Sequence, residues 1–172
     1  AEIVNAQPGV NRVTDHDRYL FDLRGYVTVP HALSAEQLTA MNSLLDDHVA
    51  QEMAKDAATH RFVSPLPWGQ PFVDVLDNSQ VEPFLCDLLG AQFRLDHIYL
   101  DVIRSGLSPI GAQLHGGATP FNPTMAYQFR SGKMSSGLLV VAYNLGDVGP
   151  DDGGFGCVPG SHKSNYAFPD EW

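Results

Sequence analysis

Gln92-Phe93-Arg94-Leu95-Asp96-His97-Ile98-Tyr99-Leu100-Asp101-Val102-Ile103 is the stretch on which the fold turns. Its period is two. Phe93, Leu95, His97, Tyr99 and Asp101 fall on one face, and Arg94, Asp96, Ile98, Leu100 and Val102 on the other. The run is long, aromatic and β-branched, which predicts a strand over residues 93–103. Polar residues on both faces of a mostly apolar strand predict that one face lines a wet cavity.

Upstream of this stretch the period is helical. Ser34 is a good N-cap, with Gln37 placed three residues on as in a capping box. Leu38, Met41, Leu44, Leu45, His48 and Val49 then recur at three- and four-residue spacing, which predicts a helix near residues 34–52. His48, at the edge of that stripe, reads as a structural or surface histidine. A second helix is expected near residues 79–89. Asn78 or Ser79 begins it, Glu82 completes Ser-x-x-Glu, Phe84, Leu85, Leu88 and Leu89 form its buried face, and Gly90 ends it. Residues 25–30 read as a short strand stopped by Pro30. Residues 59–73 hold Pro65, Pro67 and Pro71 around Trp68, which predicts a loop, either a lid or, preferably, a packed surface loop. Residues 1–18 are polar and unpatterned and read as a loose arm.

Downstream the pattern stays β-rich. Ser108-Pro109-Ile110-Gly111 turns the chain, and Gln113-Leu114-His115 is a short strand ending in Gly116-Gly117. Residues 125–130 and 137–145 read as strands around a turn at Ser131-Gly132-Lys133, and residues 155–158 as a last strand. No repeat or linker divides the chain. A single domain is expected over residues 1–172, with a helical N-terminal part (19–91) and a β-core (92–172). The class is α+β, with helices outside an antiparallel sandwich or barrel.

Composition narrows the function. The 172 residues are 44% apolar and 17% charged, which suits a folded domain rather than a disordered chain. Lys and Arg number 10 against 20 Asp and Glu, a net charge of −10, so no nucleic-acid partner is expected. The longest apolar run, residues 138–143, is far short of the ~20 residues that span a bilayer, so no membrane partner is expected either. No basic stretch followed by an apolar one opens the sequence, so no signal peptide is expected in it. Ala1 in place of Met implies processing or a piece of a longer protein. Cys86 and Cys157 have no metal-like or framework spacing and read as reduced core thiols, which fits a cytoplasmic chain. Residues 138–143 are apolar on both strand faces, which predicts self-association through exposed strand edges.

Seven histidines are present. A mononuclear iron oxygenase needs two His and one carboxylate on one face of the metal, with positions left open. His115 is the attractive candidate, because it ends a strand and two glycines leave space beside its imidazole.

Three blocks, in order, resemble the phytanoyl-CoA dioxygenase family. Gly25-Tyr26-Val27-Thr28-Val29-Pro30, followed by a capped helix at Ser34, looks like the family's N-terminal block. Leu114-His115-Gly116-Gly117 falls where the family carries its His-x-Asp iron motif. Asp151-Asp152-Gly153-Gly154-Phe155-Gly156-Cys157-Val158-Pro159-Gly160-Ser161-His162-Lys163 looks like its Gly-Gly…Pro-Gly-Ser-His-Lys turn. The resemblance implies a double-stranded β-helix (a cupin-like jelly roll), Fe(II) and 2-oxoglutarate as cofactors, and oxidation of a small-molecule substrate. It makes His115 the metal ligand. Tyr99, Gln113 and Tyr127 are then candidates for the cosubstrate pocket. Tyr99 shares a face with His97, Gln113 shares one with His115, and Tyr127 sits on the neighbouring predicted strand. His162 is expected to serve the turn rather than the metal, and Arg104, Arg130, Lys133 and Lys163 to be solvated surface cations.

Two departures from the family pattern stand out. Gly117 occupies the carboxylate position and cannot ligate. Such a residue leaves room for chloride in related halogenases, and it also marks inactive members or members with altered ligation. The distal iron His and the Arg that pairs with 2-oxoglutarate lie, in the family, beyond the Pro-Gly-Ser-His-Lys turn, past Trp172. An incomplete β-helix in a fragment is therefore expected, inactive by itself. The rival reading is a non-catalytic cupin-like binding or structural domain.

Overall fold

The structure, a computed structural model, describes residues 12–104, 121–149, 152 and 154–169. Helix α1 spans Asp15–Arg24 and α2 spans Ala35–Glu52. Strand β1 (Thr59–Val63) leads through a single 3-10 turn at Leu66–Trp68 to the short helix α3 (Gln70–Val73). A second 3-10 turn, Asp74–Asp77, precedes α4 (Glu82–Leu89). Strands β2 (Tyr99–Ile103), β3 (Gln128–Arg130) and β4 (Lys133–Ser135) follow. The described strands form two separate antiparallel pairs, β1 with β2 and β3 with β4. No helix of the described residues is long and apolar enough to cross a membrane.

Helix α2 forms where its local signals place it. The Ser34 hydroxyl accepts from the Gln37 amide at 3.2 Å, and the Gln37 side chain accepts from the Ser34 amide at 3.0 Å. Two N–H groups that the first turn would leave without partners are thereby satisfied. Met41 on its inner face meets Phe72 and Val75, and Leu44, Trp68, Ile98, Leu100, Tyr143 and Leu145 close around them. His48 is structural, as expected. Its ring stacks on Trp68 at 3.8 Å, and its Nδ1 lies 2.6 Å from a Glu52 carboxylate oxygen.

Helix α1 corrects the loose arm from residue 15 onward. Thr14 and Asp17 make a second reciprocal capping box, and Gly25 ends the helix in the left-handed conformation, its amide bonded to the Phe21 carbonyl. Arg18 fastens α1 to α4 through a two-pronged bond to Asp87, at 2.9 and 2.8 Å. Residues 25–30, read as a strand, belong to none.

The proline-rich loop also differs. Residues 59–63 are strand β1, and Pro71 sits in the first turn of α3, where a missing N–H removes no bond. Pro65 is buried beneath the turn. Conversely, the strand predicted over residues 93–103 is confined to Tyr99–Ile103. Its partner β1 is five residues long. Pairing stops where Ser64 turns to φ +57° and Pro65, lacking an N–H, follows. The Ser64 amide makes the last bond across, to the Ile98 carbonyl at 3.0 Å.

Helix α4 starts later than expected, with Val81 rather than Asn78 or Ser79 at its N-cap. Asn78 is buried instead and donates to the Ala32 carbonyl at 2.7 Å, so its side chain is committed to the chain before α2. Gly90 ends the helix as expected. The β3–β4 hairpin turns at Ser131 and Gly132, with φ +55° and +77°. Both residues thus take the left-handed values that a two-residue turn needs to match the strand twist. The expected strands at residues 137–145 and 155–158 form no ladder among the described residues. Cys86 is half-buried and Cys157 exposed, so Cys157 is not a core thiol.

Candidate functional site

The residues expected around a metal fall into two groups. His115, Gln113 and Gly117 lie outside the described residues. Tyr99 and Tyr127 are described, and they do not share a sheet.

Tyr99 begins β2 on the face turned away from the Met41–Phe72 core. The Arg61 guanidinium sits over its ring, 3.9 Å from the centroid, and is held there by bonds of 2.7 Å to both oxygens of Asp101. His97 stacks on the same ring at 5.6 Å and contacts Asp96. This is a surface stack, and it engages Asp96, His97, Tyr99 and Asp101 of the polar residues that the pattern assigned to a wet cavity.

Tyr127 immediately precedes β3 and points at the C-terminal end of α1. Its phenol donates a short hydrogen bond to the Asp22 carboxylate. Burial, then the Asp22 bond, pushes the phenol well above its ordinary pKa. The same end of α1 receives the turn at residues 159–163. The Gly160 amide donates to the Arg24 carbonyl at 2.8 Å, and the Lys163 ammonium donates to the Asp22 carbonyl at 2.6 Å. The His162 ring lies between Phe21 and Tyr127, with centroids at 6.1 and 4.8 Å. Its Nε2 is 3.1 Å from the Asp22 carbonyl oxygen. A carbonyl only accepts, so Nε2 carries the proton. Nδ1 is buried with no partner among the described residues. Burial, then the Lys163 charge, lowers the His162 pKa, so the ring is neutral at neutral pH.

Gly25 completes this junction for two reasons. Its φ of +82° suits a residue without Cβ, and a Cβ there would lie 2.7 Å from His162 Cγ. His162 thus serves the turn, as the sequence suggested. Lys163 is not a free surface cation, nor is Arg104, whose Nη1 donates to the carbonyls of Ala54, Lys55 and Ala57 at 2.8 to 3.0 Å. Nothing in a sequence marks such bonds to distant main-chain oxygens. The sequence signal for α1 is Thr14-x-x-Asp17 followed by Gly25.

Among the described residues no group of three or more His, Cys, Asp or Glu is placed to hold a metal ion. His48, His97 and His162 are each engaged as given above, and His60 packs on Phe62 at 4.3 Å. The described residues therefore do not fit an iron site by themselves, and no chemical step through iron is derived from them. No protein-family model, curated protein or solved structure matches the chain.

Proposed function

We propose that the chain belongs to an Fe(II)/2-oxoglutarate-dependent dioxygenase of the phytanoyl-CoA dioxygenase kind, with a double-stranded β-helix core behind its N-terminal helices. Its class of reaction is oxidation of a small organic molecule, with His115 as iron ligand and Gln113 beside it. The observation that carries this reading is the union of two of the three resembling blocks. Gly25 opens the first block and His162 lies in the last, and they are packed against each other across well over a hundred residues. Two motifs of one family that meet in space support a common origin better than either alone. When bound, iron with 2-oxoglutarate supplies the oxidising power, and the protein's part is to hold an open coordination geometry away from water.

A second reading is a non-catalytic cupin-like binding or structural domain. Gly117 favours it, and so does Tyr127, whose phenol is spent on Asp22 rather than on a cosubstrate. Anaerobic titration with Fe(II), with and without 2-oxoglutarate, separates the two. A lone imidazole gives weak binding, because affinity comes from several ligands acting together. The oxygenase reading expects at most weak iron binding by this chain, removed by His115→Ala. Iron binding that is untouched by His115→Ala overturns it.

A further inference from the structure

The junction of α1 with the turn at residues 159–163 is made of parts that tolerate only one protonation state. His162 spends its single ring N–H on the Asp22 carbonyl. Its other nitrogen is buried with no partner among the described residues, and it faces the Gly25 backbone closely enough that no Cβ fits between them. A proton added at Nδ1 would be a buried donor with nothing to accept it.

The charged and titratable groups around the ring do not rescue that proton. From α1, the Asp22 carboxylate is occupied by the Tyr127 phenol and lies 3.7 Å from the Lys163 ammonium. The Asp22 carbonyl already accepts from both His162 and Lys163. Arg24, also from α1, adds positive charge and gives its carbonyl to Gly160. From the segment before β3, Tyr127 presents a neutral ring edge. From the turn itself comes the Lys163 ammonium, of like sign. A second positive charge beside it is repelled.

We propose that this junction is a pH-sensitive latch: protonation of His162 in mildly acidic solution releases the turn at residues 159–163 from the end of α1. In the released turn the ring is hydrated and takes a proton near the ordinary histidine value, about 6.5. In the docked turn it does not. Docking is therefore strongest above that value. It weakens as pH falls below it, by up to tenfold per pH unit, until the docked ring also protonates. Release exposes the Phe21 and Tyr127 faces that the imidazole covers.

The test is amide hydrogen exchange at Gly160, whose N–H is held by Arg24, corrected for the intrinsic pH dependence of exchange. In the unaltered chain, protection at Gly160 is expected to fall severalfold, up to about tenfold, between roughly pH 7.5 and pH 5.5. His162→Gln keeps a side-chain N–H for the Asp22 carbonyl but cannot titrate, so its protection is expected to be flat across that range. Constant protection in the unaltered chain, no protection even at the higher pH, or an equal fall in the Gln variant each overturns the latch. Should the variant fail to fold, the ring nitrogens of the unaltered chain decide by NMR. A His162 midpoint below those of the exposed His16 and His97, shared by the Gly160 amide shift, supports the latch, and a midpoint equal to or above theirs overturns it.

Discussion

Residues up to 104 and residues from 121 onward are held together by different means. In the first region Met41, Phe62, Phe72, Val75 and Leu88 are buried, and Trp68 bridges α2, β1 and α3 through ring contacts. Of the buried apolar residues, Ala126 alone comes from the second region among the described residues. Apart from Tyr143 and Leu145 at the rim of the core, that region is tied on by single polar bonds. Asn42 reaches the Leu145 carbonyl at 2.7 Å, and the Tyr143 hydroxyl reaches the Val75 carbonyl at 3.2 Å. The Ser136 amide reaches the Leu88 carbonyl at 2.9 Å, and the 159–163 turn reaches α1. Meanwhile Val140 is 68% exposed and Phe155 71%. Fully burying one large apolar side chain contributes about 1.5–3 kcal/mol, against about 1 kcal/mol for a polar bond. The first region should thus dominate stability, and the second should respond to solution conditions and to partners.

The largest test of this contrast is Phe72→Ala. Phe72 is 2% exposed at the centre of the first region, so the variant should lose about 3–5 kcal/mol in denaturant unfolding. A loss no greater than that of a surface site would break the comparison. Gly25→Ala acts at the seam between the regions. It adds a left-handed alanine and a collision with the His162 ring, and the expected loss is about 1–3 kcal/mol. Gly160 protection should fall with it. If global stability drops while Gly160 stays protected, the seam is not where the cost falls.

Ser34→Ala removes one half of the capping box and should lower stability by about 1 kcal/mol, confined to the first region. Val140→Lys should change stability least, within about 0.5 kcal/mol, because the side chain is already in water. Its effect is on association. The unaltered chain is expected to self-associate through the uncharged stretch at residues 138–143, and sedimentation of the variant should move toward monomer. A well-behaved monomer of the unaltered chain at high concentration would remove that expectation.

The pH dependence of stability offers a finer measure. Burial pushes the Tyr143 hydroxyl up to about 12, and it bonds to the Val75 carbonyl as a donor. A phenol whose folded pKa is raised prefers its neutral form in the folded state. Its contribution is complete below the unfolded value near 10 and is lost as pH climbs toward 12. Alkaline unfolding should accordingly begin earlier in the unaltered chain than in Tyr143→Phe, measured against each one's stability at neutral pH.

What the sequence by itself determined are the elements whose stabilising bonds stay within a few residues. Ser34 and Gln37 cap α2, Gly90 ends α4, and Ser131-Gly132 turns the β3–β4 hairpin, because each bond depends only on near neighbours. Thr14-x-x-Asp17 with Gly25 is legible by the same rule. Strand length followed another logic. A period-two pattern runs through residues 93–103, but a ladder extends only as far as its partner does, and β1 ends at Val63 before a strained Ser64 and a proline. The roles of Tyr127, Lys163, Arg104 and His162 were settled at a distance too. Each is set by main-chain oxygens or a carboxylate that the fold brings from tens to more than a hundred residues away. A side chain's chemistry is written in its own residue, but its partner, and therefore its function, is chosen by the packing that brings remote segments together.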